Sequence, residues 1–148
     1  MKANEVLLML VYMIHEDNEV SAFYIIEEAL RVLRRNRSNK YKGLIDCLET
    51  ISMHSEYIAK KQYEKNELHS IYRYRTIEQF LEQTPCSCDE EIYEYVETTR
   101  AEVRKLNKLI QDIGDINANG NEIAAWLDSV PEEAHHPFAN YEYSDFCG

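Results

Sequence analysis

Apolar residues return along most of this chain at steps of three and four, the period that lines them up on one face of an α-helix. Val20, Phe23, Ile26, Leu30 and Leu33 follow it and predict a helix over about 19–36, with Arg31, Arg34 and Arg35 at its negative dipole end. Leu44, Leu48, Ile51 and Ile58 predict another over about 41–65. Its stripe weakens after Ala59, and Leu68–Tyr74 is a candidate continuation. The clearest pattern is Ile92, Val96, Thr99, Val103, Leu106, Ile110 and Ile113, whose alternating steps of four and three make a heptad seam and predict a helix over about 89–113. Ahead of these, the uninterrupted run Val6–Ile14 predicts a helix over about 4–15 that is buried on most sides. Asn4 is placed as its N-cap and Glu5 at its positive end. Two short helices complete the set. Thr76-Ile77-Glu78-Gln79 matches a capping box that opens one ending before Pro85, and 121–129 forms the other, offering Ile123, Trp126 and Leu127 to the core. Residues 36–42 read as a basic loop.

These segments predict an all-α, single-domain bundle of five or six helices over 1–130, one of them heptad-patterned, followed by an irregular acidic and aromatic C-terminal tail over 131–148. A chain of 148 residues buries a core without metal or disulfide staples. Four glycines and three prolines are too few for a hairpin-rich β fold. The apolar run near the start is about half of what a bilayer requires. Cys47, Cys86, Cys88 and Cys147 show no secreted framework, which favours reduced thiols and a cytoplasmic location. The heptad seam fits either an intramolecular core or a homodimer through helix 89–113.

Charge changes this picture of a plain bundle. Residues 1–30 carry one base and six acids, residues 31–75 eleven bases and five acids, and residues 76–148 four bases and sixteen acids, for a net charge of −11. Blocks of one sign make opposed surface potentials that steer and select charged partners. Glu90, Glu94 and Glu97 occupy the back of the heptad, with Glu91 beside them. The tail sets Phe138, Tyr141, Tyr143 and Phe146 among Glu132, Glu133, Glu142 and Asp145. Carboxylates on a rigid helix imitate phosphates, and exposed aromatics anchor partners. Arg31, Arg34, Arg35, Arg37, Lys40 and Lys42 form the opposite cluster, suited to a phosphate backbone. With Tyr41 nearby and Tyr72, Arg73, Tyr74 and Arg75 further on, that region also carries stacking groups.

Catalytic signatures do not accompany the charge. G-x-S-x-G, H-E-x-x-H, a Walker loop and G-x-G-x-x-G are absent from the sequence. His15 with Glu16 and Asp17, His54 with Glu56, and His69 with Glu67 are neighbours in sequence without a nucleophile or substrate clamp beside them. Asp115, Asn117 and Asn119, followed by Gly120, match the first half of a calcium loop. Glu122 and Trp126 then occupy positions that need an apolar residue and a bidentate glutamate. Cys86-Ser87-Cys88 lacks a second ligand pair at metal spacing, although His135, His136 and Cys147 lie in the tail.

Residues 6–33 place an apolar helix, then His15-Glu16-Asp17-Asn18-Glu19-Val20-Ser21, then an amphipathic helix. This stretch resembles the helix–acidic loop–helix unit of TerB-like tellurite-resistance domains. The resemblance implies an all-helical fold linked to metal handling. The chain departs from that family at Asp17-Asn18, where Asp-Gly is favoured, and at Tyr24, where an acid is favoured. The residues themselves lead to a different expectation. It is a non-enzymatic acidic adaptor or inhibitor, without a cofactor, that binds a basic surface on a protein, in the manner of a phage or mobile-element nucleic-acid mimic. A nucleic-acid-binding regulator using 31–42 is the alternative, and a metal-linked domain the third.

Overall fold

The computed structural model describes residues 2–15, 20–66, 74, 76–83, 90–113 and 120–130. The sequence periodicities become six α-helices: α1 (Ala3–His15), α2 (Ala22–Arg34), α3 (Lys42–Asn66), α4 (Ile77–Gln83), α5 (Glu90–Ile113) and α6 (Gly120–Ser129). The expected all-α bundle is what the chain forms, with no strand among the described residues. Helix α1 packs against α2, α5 and α6 together, which is why its sequence is apolar nearly all round. Val6, Leu7, Leu10 and Met13 are almost wholly shielded from solvent.

The principal contact is between α3 and α5, and four pairs give its register. A Cβ on Gly43 would meet Leu109 Cδ2 at 3.7 Å, an ordinary van der Waals contact. The Cys47 thiol donates to the Glu102 carbonyl at 3.2 Å. The His54 and Tyr95 rings meet edge to face at 5.0 Å. The Tyr57 hydroxyl donates to the Glu91 carboxylate. As the position on α3 rises, its partner on α5 falls, so the helices run antiparallel. The heptad seam faces inward, with Ile92, Val96, Thr99, Leu106 and Ile110 buried and Val103 and Ile113 partly so. Thr99 fits an apolar seam because its hydroxyl donates to the Tyr95 carbonyl at 2.6 Å. The seam is thus occupied by the chain's own core.

Helix α4 is seated by rings. Phe80 meets Phe23 of α2 and Tyr74 edge to face, each at 5.2 Å. Thr76 does open this helix as the capping box implied, its hydroxyl accepting the Gln79 amide at 3.0 Å. At the other side, α6 lays Trp126 against Tyr24 at 5.9 Å.

Several local expectations need correction. Helix α1 begins before Asn4: the Val6 amide donates to the Lys2 carbonyl at 3.2 Å, so Asn4 lies inside the first turn and is not the cap. Helix α2 starts at Ala22, and Ser21 flanks it without a side-chain cap bond. Tyr74 does not continue α3; its carbonyl accepts the Ala22 amide at 3.1 Å, tying this residue to the start of α2. The basic loop contains a 3-10 turn over Asn39–Tyr41, opened by Ser38, whose hydroxyl accepts the Lys40 amide at 3.2 Å. The tail 131–148, Leu68–Arg73, and the caps proposed at Ser87, Asp89 and Gly114 lie outside the described residues.

Two stability predictions follow from burial. Leu48 is fully enclosed, so Leu48→Ala lowers unfolding free energy by about 2–5 kcal/mol. Met53, on the same helix but 65% exposed, changes it by about 0.5 kcal/mol or less on replacement by alanine. Urea unfolding of the two variants against the parent chain checks the contrast. The Cys47 thiol is pushed up to about 12 by burial first, then by its bond to Glu102 and that residue's charge, with Lys105 opposing. A raised value means that the folded state keeps a proton the unfolded state releases. Its stabilising effect is complete below the ordinary thiol range and is lost as pH rises toward about 12. With Cys86, Cys88 and Cys147 changed to serine, the native chain stays silent to a thiol reagent at mildly alkaline pH and labels at Cys47 only on unfolding.

Candidate functional site

Helix α5 carries the acidic candidates, and its geometry divides them. At about 100° per residue, the buried seam and the back of the helix lie on opposite sides. Glu90, Glu94 and Glu97 fall on the back; Glu91 falls on the flank that meets α3. There Glu91 accepts the Tyr57 hydroxyl, and the Lys61 ammonium lies 5.6 Å from the Tyr57 ring centre. Glu97 binds Arg100 at 3.0 Å, and Arg100 also reaches Glu78 of α4 at 3.2 Å. Partial burial works to lower the Arg100 guanidinium, but Glu78 and Glu97 outweigh it and hold it above its ordinary value. Of these four, only Glu90 and Glu94 are exposed with neither a cation nor a hydrogen-bond donor on the carboxylate among the described residues. The four carboxylates expected to act as a row are therefore two free groups and two engaged ones.

The basic candidates divide in the same way. Arg31 is held by both carboxylate oxygens of the buried Glu28, and that hydrogen-bonded pairing raises the guanidinium above its ordinary value. Arg34 binds Glu49 of α3 at 3.2 Å. Lys40 lies 5.8 Å from the centre of the Tyr41 ring, whose residue is itself buried. Arg35, Arg37 and Lys42 stay exposed without an acid partner among the described residues. Pattern reasoning missed their neighbours from the far end of the chain. The antiparallel register sets the C-terminal half of α5, with the exposed Lys105 and Lys108, beside the start of α3, whereas Arg104 shares the flank of Arg100 on the other side of the helix. No linear motif links positions so far apart; only the register of the heptad helix against α3 reveals them.

Of the acid–base pairs, His54 and Glu56 do not meet. Residues two apart on a helix point to different sides, and His54 is half-buried with its edge on Tyr95 while Glu56 is exposed. The His54 Nδ1 and the hydroxyls of Ser21 and Ser55 are buried without a hydrogen-bond partner among the described residues. Ser21 precedes α2, whereas His54 and Ser55 are successive positions of α3 that point about 100° apart. Among the described residues no three histidine, cysteine or acidic side chains gather at a metal-binding distance.

The aromatic tail residues Phe138, Tyr141, Tyr143 and Phe146 lie outside the described residues, as do Asp115, Asn117 and Asn119, Cys86 and Cys88, the acidic stretch 16–19, and Tyr72, Arg73 and Arg75. At Tyr24, where the TerB-like pattern favours an acid, the side chain packs on Trp126. No helix among the described residues is long and apolar enough to cross a membrane. Comparison with protein-family models, with curated proteins and with solved structures found no match for this chain.

Proposed function

We propose that this protein is a non-enzymatic interaction module that uses the N-terminal half of α5 to contact a basic surface on a partner protein. The observation that carries this reading is the exposure of Glu90 and Glu94, unbound by cations of the described chain, on the back of a helix whose other face is locked into the core. A helix held along its whole buried side presents carboxylates at fixed spacing, so little conformational entropy is lost when a partner binds them. Glu97 joins when a competing cation displaces Arg100 from it. Phe138, Tyr141, Tyr143 and Phe146 are the sequence's candidates for apolar anchors beside this charge. A blocker of a nucleic-acid enzyme is the form of partner binding that fits carboxylates offered in place of phosphates.

Glu90→Gln, Glu94→Gln and Glu97→Gln together test the reading. The immobilised parent chain recovers a basic protein from an extract of its source cells, and raised salt releases that protein. The triple variant binds the recovered protein at least tenfold more weakly, with an unchanged helical circular dichroism signal. Equal affinity of variant and parent removes the acidic face as the contact.

A further inference from the structure

The two ends of the α3–α5 pair differ in charge, and the positive end is built from parts that are distant in sequence. Arg35, Arg37 and Lys40 come from the connection after α2, Lys42 from the first residue of α3, and Lys105 and Lys108 from the C-terminal half of α5. All six are exposed, and none is bound to an acid among the described residues. Asp46, Glu102 and Asp112 are the acids beside them, while Glu28 and Glu49 are already taken by Arg31 and Arg34. We infer that this end of the bundle is a docking surface for the phosphate backbone of a nucleic acid, assembled by the antiparallel packing of α3 on α5.

Three observations favour that occupant. First, Lys42 stands at the start of α3, where the helix dipole disfavours a cation, and the first turn holds no acid. Helix stability does not explain a base there. Second, the neighbours of these bases are Asn36, Ser38, Asn39 and Gly43, groups suited to phosphate and sugar oxygens. The large apolar side chains most exposed among the described residues, Met53 and Tyr93, lie elsewhere, so this end offers no anchor of the kind a protein interface needs. Third, among the described residues the six bases at this end outnumber the acids beside them, Asp46, Glu102 and Asp112. Glu94 and Lys108 are about 21 Å apart along α5 at 1.5 Å per residue, more than two screening lengths of about 8 Å at physiological salt. Tyr41 is buried beneath Lys40 and unavailable for stacking on bases, so recognition is of the backbone and tolerant of sequence.

This surface is independent of the acidic one, and anisotropy of a labelled DNA duplex with the full chain tests it. Engagement of four to six phosphates gives a log–log salt slope of about −4 to −5, a loss of about 10²- to 10³-fold in affinity between 50 and 200 mM salt. K105E/K108E and R35E/R37E each weaken binding at least tenfold at the lower salt and flatten the slope, with circular dichroism unchanged. Unlabelled duplex displaces the probe and polyglutamate of equal charge does not. Absence of binding by the parent chain at low salt overturns the inference. So does parent-like affinity of K105E/K108E, because α5 is then no part of the surface. Displacement by polyglutamate as efficient as by duplex overturns it too and assigns the end to an acidic protein.

Discussion

The antiparallel packing of α3 on α5 is the contact on which the rest of this molecule depends. It buries the heptad seam against Leu44, Leu48, Ile51 and Ile58, the apolar stripe of the other long helix. Burial on that scale supplies the non-directional driving force, and polar details then settle the register. Thr99 satisfies its hydroxyl within its own helix, the Cys47 thiol reaches the Glu102 carbonyl, and Tyr57 bridges to Glu91. The buried Thr99 hydroxyl would be costly if left unpaired where water is excluded, whereas the Tyr57–Glu91 bond lies at the surface. Shifting α5 by one residue would move the seam off the core and break the two bonds that cross to α3, Cys47–Glu102 and Tyr57–Glu91.

The same register determines where charge goes. Glu90 and Glu91 lie in the first turn of α5, where the helix dipole favours acids by about 0.3–1 kcal/mol per group, while the bases Arg104, Lys105 and Lys108 of its C-terminal half stop short of the last turn. That layout alone is consistent with a stable helix and nothing more. Packed against an antiparallel α3, however, the basic half of α5 lies beside Lys42 and the connection from α2. Among the described residues, the unpaired bases Lys42, Lys105 and Lys108 and the unpaired acids Glu90 and Glu94 thus lie toward opposite ends of the α3–α5 pair. Ion pairs temper both regions. Arg31, Arg34 and Arg100 are tied to glutamates, and such exposed pairs contribute about 0–1 kcal/mol each, so their main effect is to decide which charges remain available.

Histidine and serine chemistry does not converge in what is described. His54 is committed to an edge-to-face contact with Tyr95, and Ser55 faces the core on the neighbouring position of α3. The proposals for this protein therefore rest on its outer surfaces, where side chains project from rigid helices.

Periodicity determined the helices because burying one face imposes a spacing that survives in the sequence whatever the partner is. The seam from Ile92 to Ile110, the stripe from Val20 to Leu33 and the Thr76 cap were all legible on that ground. Helix ends were less so: Asn4 looks like a cap, yet the turn begins one residue earlier, since a cap depends on backbone geometry that composition does not encode. The availability of charge was hidden altogether. Glu90, Glu91, Glu94 and Glu97 are alike in sequence, but Tyr57 and Arg100 engage two of them. The bases from Arg31 to Lys42 are legible as a cluster in the sequence, but that the half of α5 bearing Lys105 and Lys108 lies beside the start of α3 appears only in the fold. Local pattern reports which face of a helix is buried; which elements come to lie side by side is a property of the packed core, and only tertiary structure decided it.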